Sequence, residues 1–284
     1  MIEVNRLTFS YGKKPFINDM SFSVKSGEIF GFLGPSGAGK TTLQKIMTGM
    51  ITAYQGSVKV DGMECRKRTP AFYEEIGVDF EFPALYEKLT ARQNLLYFAS
   101  LYRKPCLLPG DSLKRAGLEG DADKKVSCFS KGMRSRLAFL RALQHDPRIL
   151  FLDEPTSGLD PTNSRVMKDM ILEEKKKGKT ILLTTHNMHD AAELCDRVAF
   201  IVNGAVRALD SPHNLVMRKG AARLVYTYRR EEDGREERGE CLLTQTGSDL
   251  LLQNLLRENR LTSLHTSEPD LNDIFLEVTG RALV

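Results

Sequence analysis

Short apolar runs and amphipathic stretches take turns along most of this chain. Ile29-Phe30-Gly31-Phe32-Leu33 reads as a buried strand, and strand-like apolar runs return at Ile149-Leu150-Phe151-Leu152 and Ile181-Leu182-Leu183-Thr184. Between the last two lies a predicted helix over about 161–177, ended by Gly178. Leu7-Thr8-Phe9-Ser10-Tyr11-Gly12 and Ser57-Val58-Lys59-Val60 instead alternate apolar and polar positions, the second before an Asp61-Gly62 turn. Both predict half-exposed antiparallel strands. Over about 90–145 the apolar positions Leu95, Leu96, Phe98, Ala99 and Leu101, and later Leu137, Leu140 and Leu143, recur at helical intervals. Strand alternating with helix predicts a parallel α/β core, with the antiparallel strands beside it.

Beyond Gly204 the pattern changes. Arg223–Arg229 and Glu240–Thr246 are expected strands, joined by the charged segment Arg230–Gly239. A helix over about 248–259 and a short strand near 261–266 should follow. The last helix is expected to open at Ser267-Glu268-Pro269, with Ser267 as N-cap, and to stop at Gly280. Leu271, Ile274, Phe275 and Val278 give this tail its own apolar set, so it should pack as a small accessory unit.

Composition narrows the classes. A chain of 284 residues has room for one large domain and a smaller one, and 41% hydrophobic with 27% charged residues fits a soluble globular protein. The net charge of +4 is too weak to argue for nucleic acid, and no nucleic-acid partner is expected. Arg66-Lys67-Arg68 and Lys175-Lys176-Lys177 read as solvated faces. Five cysteines without C-x-x-C spacing suit a reducing compartment rather than a disulfide or zinc framework. Met1-Ile2-Glu3-Val4 does not read as the start of a signal peptide, and no apolar run approaches the ~20 residues that span a bilayer. The expected location is cytoplasmic, with any membrane role borrowed from a partner.

The candidate chemistry begins directly after the first buried strand. Gly34-Pro35-Ser36-Gly37-Ala38-Gly39-Lys40-Thr41-Thr42 has the spacing of a phosphate-binding loop, between a strand and a helix over Thr42 to Thr48. Its glycines let successive N–H groups point inward at phosphate oxygens, Lys40 adds a point charge, and Thr41 offers a hydroxyl to Mg²⁺. The positive end of the helix favours the same anion. These residues predict binding of a nucleoside triphosphate.

Asp153 and Glu154 close the strand Ile149–Leu152, at the end where α/β proteins place ligands. Asp153 is expected to hold Mg²⁺ near Thr41, and Glu154 to orient or deprotonate an attacking water. His186, just past the strand ending near Thr185, is placed to donate a hydrogen bond to a γ-phosphate. His186 and His189 also form an H-x-x-H spacing, but no third metal ligand accompanies them.

The phosphate loop, the Ile149–Glu154 strand, the loop Ser157-Gly158-Leu159-Asp160 and His186 arrive in the order of a known family. Over about residues 1–215 the chain resembles the ATP-binding subunit of an ABC transporter. Phe129-Ser130-Lys131-Gly132-Met133 stands where that family has its Leu-Ser-Gly-Gly-Gln signature. The resemblance implies ATP and Mg²⁺ as ligands, with Lys40, Glu154 and His186 as catalytic residues. Tyr11 would stack on adenine, and Asp160, Ser130 and Gly132 would join the nucleotide-binding set, the last two on ATP bound by the opposite subunit. Two cassettes, identical or related, would close head to tail on two ATPs and drive an integral membrane permease. The chain would then sit peripherally at the inner face of the cytoplasmic membrane. The implied fold is a P-loop NTPase core with an antiparallel β subdomain and a helical subdomain (about 90–145), plus a small α+β extension over 216–284.

Two departures stand out. Lys131 and Met133 replace a glycine and a glutamine of the signature. Glu81, in Val78-Asp79-Phe80-Glu81-Phe82-Pro83, stands where the family usually has a glutamine on Mg²⁺ and the attacking water. A carboxylate still ligates Mg²⁺ but does not donate a hydrogen bond while ionised. Pro83–Thr90 with Asn94-Leu95, and the tail Ser267–Leu276, resemble the drug-exporter branch, which implies export of a drug or lipid-like substrate. The alternatives are an import ATPase or a soluble ABC ATPase acting on ribosomes or DNA. Ribosome-acting members usually carry two cassettes and DNA-repair members a long coiled-coil insertion, and this chain has neither. A GTPase or kinase would leave Phe129–Met133 unexplained.

Overall fold

The computed structural model describes residues 2–81, 84–219, 223–230, 234–267 and 270–280. The chain divides after Ser211 into two compact units. The expected boundary at 215 falls inside a helix, α8 (Pro212–Lys219), which packs with the last helix of the second unit.

In the first unit, β1 (Ile2–Phe9), β2 (Ile17–Val24), β4 (Gln55–Val60) and β5 (Met63–Glu64) form an antiparallel sheet in the order β2-β1-β4-β5. One face of β1 and β2 is buried and the other wet, as alternation requires. The second sheet holds β3 (Ile29–Leu33), β6 (Ile76–Asp79), β7 (Ile149–Asp153), β8 (Thr180–Thr185), β9 (Arg197–Val202) and β10 (Ala205–Asp210), ordered β10-β9-β3-β8-β7-β6. All its pairings are parallel except β9 with β10. Every residue of β3, β7 and β8 is buried, the pattern of a sheet covered on both faces. A single apolar core joins the two sheets, with Phe22, Phe30 and Phe32 stacked or edge-on at 5.2–5.8 Å.

Because β3, β8 and β7 are neighbours and parallel, their C-terminal ends open along one edge. The phosphate loop leads from β3 into α1 (Lys40–Met47), Glu154 follows β7, and His186 follows β8. A short α2 (Pro70–Tyr73) precedes β6. The helical region comprises α3 (Ala91–Ala99), α4 (Pro109–Arg115) and α5 (Lys131–Leu143), in mutual contact. Thr90 opens α3 with a capping box to Gln93. Further along, α6 (Pro161–Lys176) and α7 (Met188–Leu194) link β7, β8 and β9, and Gly178 follows α6 at φ 85°.

The second unit is a three-stranded antiparallel sheet of β11 (Arg223–Arg229), β12 (Glu236–Leu242) and β13 (Leu261–Ser267), ordered β12-β11-β13, with α8, α9 (Leu250–Arg257) and α10 (Leu271–Thr279). β11 (Arg223–Arg229) matches the sequence expectation, but β12 is Glu236–Leu242, so much of the expected charged connection is strand. Glu236, Arg238 and Glu240 alternate onto the exposed face, which gives the strand its charge. Leu243–Gln245, expected as strand, is a 3₁₀ turn. β13 (Leu261–Ser267) runs through Ser267, so that residue does not cap α10. Asp270 does, in a capping box with Asp273, and Gly280 ends the helix at φ 65° as expected. Leu224, Tyr226, Leu252 and Leu255 form one buried apolar cluster of this unit, and Leu271, Ile274 and Phe275 of α10 are buried as well. Pro83, Glu268 and Pro269 lie outside the described residues. No helix among the described residues is long and apolar enough to cross a membrane.

Candidate functional site

The turn from β3 into α1 is fixed by its glycines. A Cβ on Gly34 would stand 2.2 Å from the carbonyl oxygen of Ile201, so no side chain fits. Gly37 (φ 79°) and Gly39 (φ 109°) adopt backbone that other residues avoid. Gly39 is also the N-cap of α1 and has no side chain to cap it, which leaves first-turn N–H groups for a ligand. Lys40 opens α1, two residues before the expected start, and is buried. Its Nζ donates to the carbonyl oxygens of Gly34 (2.7 Å) and Pro35 (3.3 Å). Burial pushes its pKa down, against the charges of Glu154, Asp153 and Glu81. A buried cation beside uncapped N–H groups fits a polyanion.

Asp153 ends β7 with both oxygens engaged. The Thr41 hydroxyl donates to Oδ2 at 3.0 Å, and the Thr184 hydroxyl donates to Oδ1. Glu154 has φ 52°, a left-handed conformation that costs on the order of 1–3 kcal/mol. Its N–H is held by the Thr184 carbonyl at 3.0 Å. Its Oε1 lies 3.0 Å from Nδ1 of His186, with Glu154 largely buried and His186 58% exposed. Since an ionised carboxylate only accepts, Nδ1–H is the donor, which orients the ring and leaves Nε2 toward solvent.

These groups share one cleft of about 330 Å³, lined by Ser36–Thr42, Phe16, Glu81, Asp153, Glu154 and His186. A second cavity of about 490 Å³ is lined by Phe129, Lys131, Arg134, Ser135 and Ser157, and again by Glu81 and Glu154. The two carboxylates thus stand between the cavities.

Other expected residues lie apart from the first cleft. Tyr11 is 66% exposed, its hydroxyl is 2.9 Å from that of Thr42, and its ring meets Phe9 and Phe16 edge-on. Phe16, which the sequence reading missed, is the aromatic residue lining the cleft. Ser130 caps α5 by accepting from the Met133 N–H at 3.3 Å. Gly132 has no room for a side chain, since a Cβ would lie 2.5 Å from the Asn163 side chain. Asp160 is the N-cap of α6, and both its oxygens accept from Asn163, through the N–H at 2.9 Å and the side-chain amide at 2.5 Å. Thr184 and Asp79 were also missed. Burial pushes the Asp79 carboxyl up to about 7, with Arg141 opposing the rise and Asp153 adding to it.

The Thr41 hydroxyl and the Asp153 carboxylate are hard oxygen donors that fit Mg²⁺. Among the described residues no three His, Cys, Asp or Glu converge as a metal cage. Mg²⁺ bound with a nucleotide needs only one or two carboxylates, because phosphate and water supply the rest.

A family model described as "ABC transporter" matches residues 17–157. A fluoroquinolones export ATP-binding protein of Mycobacterium tuberculosis (strain CDC 1551 / Oshkosh) is 46% identical over all of this chain and 94% of its own length. A Nod factor export ATP-binding protein I of Rhizobium meliloti (strain 1021) is 36% identical over 99% of this chain and 89% of its own length. Among solved structures, an ATP-binding subunit of an ABC transporter superposes with a TM-score of 0.68 at 28% identity, covering 76% of this chain and 92% of that one. An ATP-binding cassette in a dimeric post-hydrolysis state, bound to ADP and Pi, superposes with a TM-score of 0.66 at 25% identity, covering 74% and 98%.

Proposed function

The chain belongs to the ABC transporter family as an ATP-hydrolysing subunit, and we propose that it powers export through a separate membrane permease, working as a pair of cassettes. The observation that carries this reading is the meeting of Lys40, the Thr41–Asp153 pair and the Glu154–His186 pair in one cleft. Export is supported by the two relatives named above, whose names state export, of a fluoroquinolone in one and of a Nod factor in the other.

Residue roles follow from charge and position. Lys40 and the loop N–H groups hold the outer phosphates. Thr41 and Asp153, with Glu81, hold Mg²⁺, which when bound neutralises phosphate charge. Glu154 accepts a proton from the water that attacks the γ-phosphorus, as the bond to the bridging oxygen breaks and ADP leaves with that electron pair. His186 fixes the Glu154 carboxylate through Nδ1–H and, as the imidazolium with both nitrogens protonated, donates from Nε2 to the γ-phosphate. Tyr11 and Phe16 form the aromatic edge for the base. Ser130 and Gly132, outside the cleft of their own chain, serve ATP held by the second cassette.

Inside-out membrane vesicles carrying the chain and its permease test the reading, with a fluorescent fluoroquinolone as probe. ATP-driven uptake that Glu154→Gln abolishes is the expected result. Uptake confined to right-side-out vesicles would make the system an importer, and none in either would remove the drug-export reading.

A further inference from the structure

Arg141 lies near the C-terminal end of α5, the helix that Ser130 caps, with only 11% of its side chain exposed. Its guanidinium donates to the Val78 carbonyl at 3.0 Å and to the Ala84 carbonyl at 2.9 Å. The same group stands 3.7 Å from Oδ1 of Asp79, an oxygen without a hydrogen-bond partner, and 5.3 Å from the centre of the Phe98 ring of α3. Val78 and Ala84 flank Glu81 at equal distances in sequence. One planar cation therefore grips the chain on both sides of the residue that stands between the two cavities.

We propose that Arg141 is a positioning residue for Glu81, holding Val78 and Ala84 on either side of it in register with α5 and hence with Ser130 and Gly132. The planar fork matters, because its donors point in fixed directions toward two carbonyls, with the Asp79 carboxylate beside them as counter-charge. A lysine keeps the charge but has one nitrogen, and does not span both carbonyls in that geometry. Movement of α5 is then felt at Glu81 without any contact between Arg141 and the nucleotide. The inference rests on the reading of Glu81 as a residue of the Mg²⁺ and water side of the cleft.

The experiment uses the full chain as Arg141→Lys, Glu81→Ala and the double variant. Hydrogen exchange is followed over residues 76–90, and the Mg²⁺ concentration for half-maximal ATP hydrolysis is measured. Arg141→Lys is expected to speed exchange in that segment by about tenfold, with β3 and β7 unchanged. It should also raise the Mg²⁺ requirement by roughly fivefold, and by less than about twofold when Glu81 is already alanine. Unchanged exchange, or an Mg²⁺ shift of the same size in both backgrounds, would overturn the proposal. If Glu81→Ala alone leaves the Mg²⁺ requirement unmoved, the reading of Glu81 fails, while exchange still decides whether Arg141 positions the segment. Should Arg141→Lys not fold, Asp79→Asn removes the ion pair that aims the guanidinium. The same loosening is expected of it, and a folded Asp79→Asn with wild-type exchange and Mg²⁺ requirement would overturn the proposal equally.

Discussion

Nδ1 of His186 donates to Oε1 of Glu154 at 3.0 Å, so the two side chains form one hydrogen-bonded unit. The backbone enforces the pairing. Glu154 sits at φ 52° with its N–H on the Thr184 carbonyl, which turns its side chain back toward the end of β8.

Residues that act as a unit lose activity together. His186→Ala and Glu154→Gln should each lower kcat by about a hundredfold or more, and the double variant should be little worse than Glu154→Gln alone. Steady-state ATP hydrolysis checks this. Losses that multiply would mean that the two residues act independently.

The first turn of α5 should tolerate no methyl group at Gly132. Alanine favours a helix by about 1 kcal/mol over glycine, yet its Cβ would lie 2.5 Å from an Asn163 side chain held by Asp160. Overpacking outweighs propensity, and Gly132→Ala should destabilise by about 1–3 kcal/mol. Thermal melts of Gly132→Ala alone and with Asn163→Gly provide the check. The second change should restore most of the loss, and no rescue would show that the contact is not the cause.

The buried runs at Ile29–Leu33, Ile149–Leu152 and Ile181–Thr184 were legible because a sheet covered on both faces needs continuous apolar sequence. The positions of Asp153, Glu154 and His186 were legible because each lies at the end of one of those strands, and those of Lys40 and Thr41 because a glycine-spaced loop joins another such strand to α1. The charges of β12 hid a strand because they occupy one exposed face, and local spacing alone did not separate Ser267 from Asp270 as a cap. Phe16, beside Gly39, and Thr184 and Arg141 make their contacts between segments far apart in sequence, which periodicity does not report.

A buried histidine gives the fold a pH limit. His145 stacks on Tyr102 at 3.7 Å, donates from Nε2 to the Ile76 carbonyl at 2.9 Å, and has no partner at Nδ1. Burial holds its pKa below the ordinary 6.5, with Lys104 and Lys179 in the same sense and the Ile76 bond and Glu74 opposing. The folded chain then binds this proton less tightly than the unfolded chain does. The stability it contributes is present above about 6.5 and is lost as pH falls through the lowered value. His145→Gln keeps a donor for Ile76, so melting temperatures from pH 8 to 5 should fall more steeply for the wild type. Parallel curves would contradict the assignment.

The central claim is that ATP brings two cassettes together, with Ser130 and Gly132 of one copy completing the site of the other. The most direct measurement is light scattering of Glu154→Gln on a sizing column, with and without Mg-ATP. The account predicts a dimer only with Mg-ATP, lost again when Ser130→Arg blocks the first turn of α5. A chain that binds ATP and stays monomeric, or a dimer indifferent to Ser130→Arg, would contradict it.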